Sequence, residues 1–283
     1  MTSGQSVALS VGDVEIVIDV ARGARATQWT IAGLSLLTRH GADPVENGMY
    51  PMAPWAGRVR DNAVVHGGLA HPLPATYGPW ALHGTVLARD VEIVEHVQDA
   101  ACARLVTVAR SHPEWPWPME IGIVWDLRER ELTTVITVRA LEEAFPAVVG
   151  WHPWFARRLA RGEPLQWSLD ASSRAERGED YLPTGRLLPF TRADGPFDDA
   201  FVVPDRNAIV RWPGALSLEI ANSEPWFVVF DQLPSAACIE PQSGPPNAVN
   251  EGIDAPVPMA RPDQPHRLIT TWTMTDDPPE DRA

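Results

Sequence analysis

Alternation with period two dominates the chain. Met119, Ile121, Ile123, Trp125 and Leu127 alternate with Glu120, Gly122, Val124, Asp126 and Arg128, and Leu216, Leu218 and Ile220 alternate with Ser217 and Glu219. Successive side chains of an extended backbone point to opposite faces, so each run predicts a strand with one face buried. Residues 14–20, 131–139, 226–230 and 268–274 are rich in β-branched and aromatic side chains and predict further strands. Pro- and Gly-bearing clusters at 112–118 and 241–246 mark turns between them. Residues 156–161 offer a short helix; no other segment carries a convincing helical period. Many short strands separated by turn signals predict an all-β fold, an antiparallel sandwich or barrel. No interior linker interrupts the pattern. We therefore expect a single domain over residues 1–275 and a frayed, charged tail over 276–283.

Composition narrows the chemistry. With 283 residues, 45% of them hydrophobic, the chain can bury a core without disulfide or metal staples. Its 37 acidic and 23 basic residues leave a net charge of −14, which disfavours a nucleic-acid partner. Every basic residue is arginine, so Schiff-base and Walker lysines are excluded. Cys102 and Cys238 form no metal or redox spacing and read as reduced thiols. Residues 1–12 lack a secretory pattern, and no apolar run approaches the ~20 residues that span a bilayer. These features predict a cytoplasmic protein with no membrane partner. Tryptophan supplies 12 of the 22 aromatic side chains (7 Phe, 3 Tyr), which suits thick β-packing or stacking on flat apolar faces such as those of sugars.

No Gly-rich dinucleotide loop, H-E-x-x-H, G-x-S-x-G or EF-hand loop is present, so neither a metal nor an organic cofactor is expected. Polar residues instead stand in five turns, where all-β proteins build sites. Arg58 follows the proline-fixed segment Pro51-Met-Ala-Pro-Trp-Ala-Gly57; it is either a surface arginine or a guanidinium fork for a substrate oxygen. His83 precedes Gly84 and in isolation suits a structural histidine. His152 lies between Trp151 and Trp154 and before Pro153, which forces it extended; apolar neighbours would bring its pKa near neutrality, though a packed core histidine is the alternative. Asp198 and Asp199 stand between Phe197 and Phe201, as a binding site or a solvated turn. Glu240 ends an apolar run before a Pro/Gly-rich loop, where it either faces water or acts as a base. Two histidines, acids and an arginine without a nucleophile make an acid/base set.

The segments Pro-Met-Ala-Pro-Trp-Ala-Gly-Arg58, Leu-His83-Gly, Trp-His152-Pro-Trp-Phe and Glu240-Pro-Gln…Pro-Asn-Ala-Val-Asn250 resemble, in order, those of the aldose 1-epimerases, or galactose mutarotases. The resemblance covers about residues 48–250. It implies a galactose mutarotase-like supersandwich, a large β-sandwich, and interconversion of the α and β anomers of a free aldose without a cofactor. It places a catalytic acid at His152 and a catalytic base at Glu240. It also places substrate-binding groups at Arg58, His83 and Asp198, with Asp199 as the one-residue alternative. Trp55, Trp80 and Trp154 lie in the same segments and are candidates for sugar stacking. The expected partner is a small sugar, bound by a monomer or homodimer. Gly57 departs from the family, where Asn commonly precedes the arginine. Arg89, Arg157 and Arg158 raise the alternative of a hexose-6-phosphate mutarotase, since arginine suits bidentate phosphate contact. A non-catalytic carbohydrate-binding protein on the same fold is the second alternative.

Overall fold

The computed structural model describes residues 6–39, 41–110 and 112–277. Two large antiparallel sheets, of 12 and eight strands, account for most of them. The alternating run at 119–128 forms the strand Met119–Arg128, whose residues are buried at every second position. It pairs with Glu131–Ala140, and that strand pairs with His266–Asp276, in the middle of the eight-stranded sheet. The predicted strands at 14–20 and 216–220 also form, as Val14–Asp19 and Leu216–Asn222. Trp226–Phe230 forms in the larger sheet.

Tryptophan joins the two layers. Trp125 of the smaller sheet meets Trp151 of the larger at 4.8 Å between ring centroids, Trp272 meets Trp29 at 5.8 Å, and Trp212 meets Phe155 at 5.9 Å. All six are fully buried in one continuous core. Each such ring removes roughly 150–250 Å² from water, so a few of them fill the space between sheets about 10 Å apart.

The helix expected at 156–161 does not form, and no α-helix occurs among the described residues. Phe155 and Ala156 pair with Ala237 and Ala236 as a short strand. Arg157 then donates to the carbonyls of Leu233 and Asp231, holding the chain to a neighbouring loop and not to its own next turn. Asp276 closes the last strand, and Asp277 takes Arg211 in a two-pronged ion pair at 2.7 and 2.8 Å. The boundary expected at 275 thus falls inside that strand. The rest of the expected tail, 278–283, lies outside the described residues.

The centre of the larger sheet runs, in order, Met49–Met52, Gly150–Pro153, Ala236–Gln242, Trp226–Phe230 and Asp198–Val202. Its inner face meets the core. Its outer face carries His152, Glu240 and Asp198.

Candidate functional site

Strand alternation sorts the site from the core. Trp151 points inward onto Trp125, so its neighbour His152 points outward. On the adjacent strand, Ala237, Ile239 and Pro241 take one face, and Cys238, Glu240 and Gln242 take the other. His152 and Glu240 thereby converge, with Nε2 of His152 3.3 Å from Oε1 of Glu240. The second carboxyl oxygen of Glu240 accepts a hydrogen bond from Gln242 Nε2 at 3.0 Å. The imidazole of His152 is clamped by rings, stacked on Tyr50 at 4.8 Å and tilted against Trp154 at 5.2 Å. Tyr50 and Trp154 are themselves fixed, since both donate to the Val45 carbonyl, at 2.9 and 2.8 Å.

The loop after Met49–Met52 adds two more groups. Gly57 N–H donates to His83 Nδ1 at 3.3 Å, and His83 N–H returns a bond to the Gly57 carbonyl at 3.1 Å. An accepting Nδ1 leaves the ring proton of neutral His83 on Nε2. His83 is left-handed, with φ of 60°. Gly57 is left-handed too, and a Cβ there would lie 2.8 Å from Pro246. A side chain at this position, such as the asparagine that the family resemblance implies, would have to displace Pro246.

The Asn-Ala-Val-Asn250 segment is a strap for that loop. Asn247 N–H donates to the Arg58 carbonyl, and its side chain accepts the Arg60 N–H, each at 3.0 Å. Asn250 accepts from Val65 N–H at 2.7 Å and donates to the Ala63 carbonyl at 2.9 Å. The Arg58 guanidinium lies between Tyr181 and Trp80, 5.1 and 5.9 Å from their ring centroids. Its Nε is buried without a hydrogen-bond partner among the described residues.

These groups line one cavity of about 260 Å³, with Arg58, His83, His152, Trp154, Asp198 and Glu240 in its wall. Asp198 is held by Arg177 at 2.7 Å. Asp199 lies outside this cavity and faces Arg174 and Arg177 in a smaller adjoining cleft. Of the three candidate stacking tryptophans, only Trp154 lines the cavity. Trp55 is 1% exposed and stacks on Trp115 at 5.5 Å. Trp80 stands behind Arg58 and exchanges backbone hydrogen bonds with Tyr77, both of which line the cavity. Arg89 is paired with Glu114 outside the cavity, and Arg158 is exposed.

Burial sets the electrostatics. It pushes the Glu240 carboxyl well above the usual carboxylate range, helped by the nearby Asp198 charge. It pushes His152 down to about 3, far below the near-neutral value its sequence context suggested, because the ring is enclosed on all sides. His83 is also driven well below its ordinary value, by burial first and by His152 and Arg58 next. At neutral pH both histidines are neutral, and burial favours the protonated form of Glu240.

Tyr50 and Gln242 were not singled out from the sequence. Gln242 was legible in principle, because it shares the face of Glu240 two residues on. Tyr50 reaches His152 only through strand pairing, which local pattern does not reveal. His152, Cys238 and Glu240 also bring a ring nitrogen, a thiol and a carboxylate within 4.8 Å of one another, a set able to hold a metal ion. Burial raises the thiol's pKa, which opposes the thiolate such an ion would need.

Comparison with known proteins bears on the family and the fold. Residues 17–263 match the family model described as aldose 1-epimerase. The uncharacterized protein YihR of Escherichia coli (strain K12) is 26% identical over 296 aligned residues, covering 94% of this chain and 92% of YihR. A galactose mutarotase-like protein from Clostridium acetobutylicum superposes with a TM-score of 0.84 at 16% identity, over 97% of this chain and 96% of that one. Galactose 1-epimerase from Lactobacillus acidophilus NCFM gives 0.75 at 14% identity, over 93% and 92%. The two structures share the supersandwich fold with this protein, and the match over most of its length places the chain in the aldose 1-epimerase family of isomerases.

Proposed function

We propose that the protein is a mutarotase that interconverts the α and β anomers of a free hexose or related aldose. Glu240 acts as the base and His152 as the acid. The 3.3 Å approach of His152 Nε2 to Glu240 Oε1 in the wall of a sugar-sized cavity carries this reading.

Opening a hemiacetal removes a proton from the C1 hydroxyl and delivers one to the ring oxygen. Both oxygens are bonded to the same carbon, so the acid and the base must also converge. Moving the pair's single proton from Glu240 Oε1 to His152 Nε2 yields a carboxylate and an imidazolium without changing the net charge of the site. The carboxylate then takes the C1 hydroxyl proton while the imidazolium protonates the ring oxygen. Rotation about C1–C2 and closure on the other face reverse both transfers. His83 Nε2–H and the Arg58 guanidinium are donors for developing negative charge or for hydroxyls, and Asp198 is an acceptor. Trp154 offers an apolar wall.

Two observations weigh against the alternatives. Of the arginines that raise the phosphate alternative, Arg89 is spent on Glu114, Arg157 on backbone carbonyls, and Arg158 does not line the cavity. A pure sugar binder has no need for a buried acid/base pair in contact.

Polarimetry of freshly dissolved α-glucose and α-galactose tests the proposal. Added protein should speed relaxation of at least one sugar. Glu240→Gln and His152→Ala should each lower that acceleration by about 10²–10⁴-fold. No acceleration across a panel of aldoses would falsify it.

A further inference from the structure

We infer a second small-molecule site, for a neutral polyhydroxylated ligand such as a free sugar, in a cavity behind the His83–Gly84 turn. This cavity measures about 500 Å³, and Asp43, Trp55, Thr76, Leu82, Arg89 and Glu114 stand in its wall. It lies back to back with the proposed catalytic cavity, because Val45 and Leu82 line both. The dividing turn is rigid. Gly84 is left-handed, and a Cβ there would run into the Ala53 carbonyl.

Two orphaned polar atoms point to the ligand's chemistry. Trp55 is 1% exposed, and its indole N–H has no acceptor among the described residues. Glu114 Oε2 is buried with no donor. Trp29, Trp115, Trp125 and Trp151 also carry unpartnered indole nitrogens, but they are packed in the core. Trp55 is the one of these five that lines either of the two cavities. A hydroxyl both accepts and donates, so a single kind of group satisfies a lone N–H and a lone carboxylate oxygen. An unpaired buried polar group carries a desolvation cost that such a ligand removes.

The charges select against anions. Asp43 and Glu114 outnumber Arg89, and Arg89 is already paired with Glu114. A phosphate or carboxylate would find no unspent cation there. Leu87, Pro44 and Pro74 supply apolar wall for the C–H faces of a sugar. The volume falls within the roughly 300–1,000 Å³ common for ligand cavities.

Calorimetric titration of the full chain with D-galactose and with D-glucose tests the site. For at least one sugar we expect two molecules bound per chain. Ala88 lines this cavity at an exposed position, so Ala88→Phe should obstruct it, bringing the count to one with the mutarotation rate unchanged. Glu114→Gln should weaken the second site about tenfold or more, the scale of a lost hydrogen bond to a charged group. It should also free Arg89, so that inorganic phosphate competes for the second site in this variant and not in the wild type. One sugar per chain in the wild type overturns the inference, as does a count that Ala88→Phe leaves at two. Phosphate displacing the second sugar from wild-type protein overturns the neutral class of ligand. Anomer exchange is followed on the same samples. A chain that binds two sugars but accelerates no exchange defeats the catalytic proposal and leaves the second site standing.

Discussion

Glu240 and His152 are worth considering as one titrating unit, because each is buried against the other. The reaction needs one proton in the pair. Below about pH 3 the ring gains a second proton. Above the raised range of Glu240 the last one is lost. Activity on kcat/KM should therefore hold a broad plateau through neutral pH, with an acid limb falling toward pH ~3 and a basic limb set by the carboxyl. A rate that instead halved near 6.5, the ordinary histidine value, would mean that the ring is solvated and that the pair does not act as one unit. Gly57 makes a second prediction at this scale. Gly57→Asn keeps a residue type that tolerates left-handed backbone but drives its Cβ toward Pro246. Relief requires moving the Gly57 N–H away from His83 Nδ1. KM for sugar should rise with kcat less affected, and the change should shrink when Pro246→Ala is added, which steady-state polarimetry on the single and double variants would reveal.

At the scale of elements, the strands were read well from period two because each lies on a sheet with one wet and one dry face. Met119–Arg128 and Trp226–Phe230 form with the bounds that their patterns set out. Segment 156–161 misled because its spacing of apolar and charged residues suits a helix, while its backbone is claimed by Ala236, Ala237 and the loop at Leu233. The same distinction limits what could be read of the candidate site. His152, Glu240 and Arg58 stand in turn-flanked motifs that are visible locally. Tyr50 against His152, and the strapping of the Arg58 loop by Asn247, exist only once distant segments pair. Tryptophan needs the same separation. Trp272 bridges the sheets and donates to Thr134 at 3.0 Å, so Trp272→Ala should cost about 3–5 kcal/mol. Trp226 belongs to a smaller cluster with Ala200, Val228 and Ile253 on the outer side of its sheet, where solvent fills part of any gap. Trp226→Ala should cost roughly half as much on the same large-to-small scale. Urea midpoints with unchanged slopes would confirm that ordering, and equal losses would contradict it.

The whole molecule holds several histidines neutral, and this predicts how its stability responds to pH. His152 is held at about 3 and His266 at about 4, both by burial, and His83 lies well below its ordinary 6.5. The Ser243 hydroxyl accepts the Val149 N–H and hydrogen-bonds His266 Nε2, 2.8 Å away. As pH falls through 6.5, the unfolded chain takes up protons that the native chain refuses, so stability falls. Each refused proton costs about 1.4 kcal/mol per pH unit. Glu240 works in the opposite sense. Its native form keeps a proton that the unfolded form loses above 4.5, so it offsets part of the histidine effect. His112 is lowered by burial as well, so four histidines act in the first sense against this one carboxyl. His266 is partly exposed, and solvent screening makes its share the smallest. At the alkaline end Tyr50 and Cys238 are raised well above their ordinary values by burial. The unfolded chain then loses protons that the native chain keeps, and stability falls again. Melting temperature should therefore peak between about pH 6.5 and 9 and drop steeply on the acid side, even though protonating surface carboxylates relieves the repulsion of a chain carrying a net charge of −14. His266→Gln keeps an acceptor for Ser243 but cannot charge, so it should flatten the acid slope without shifting the alkaline one. A thermal scan of both proteins from pH 8 to 5 decides the matter: parallel curves would mean that His266 contributes nothing to the acid loss.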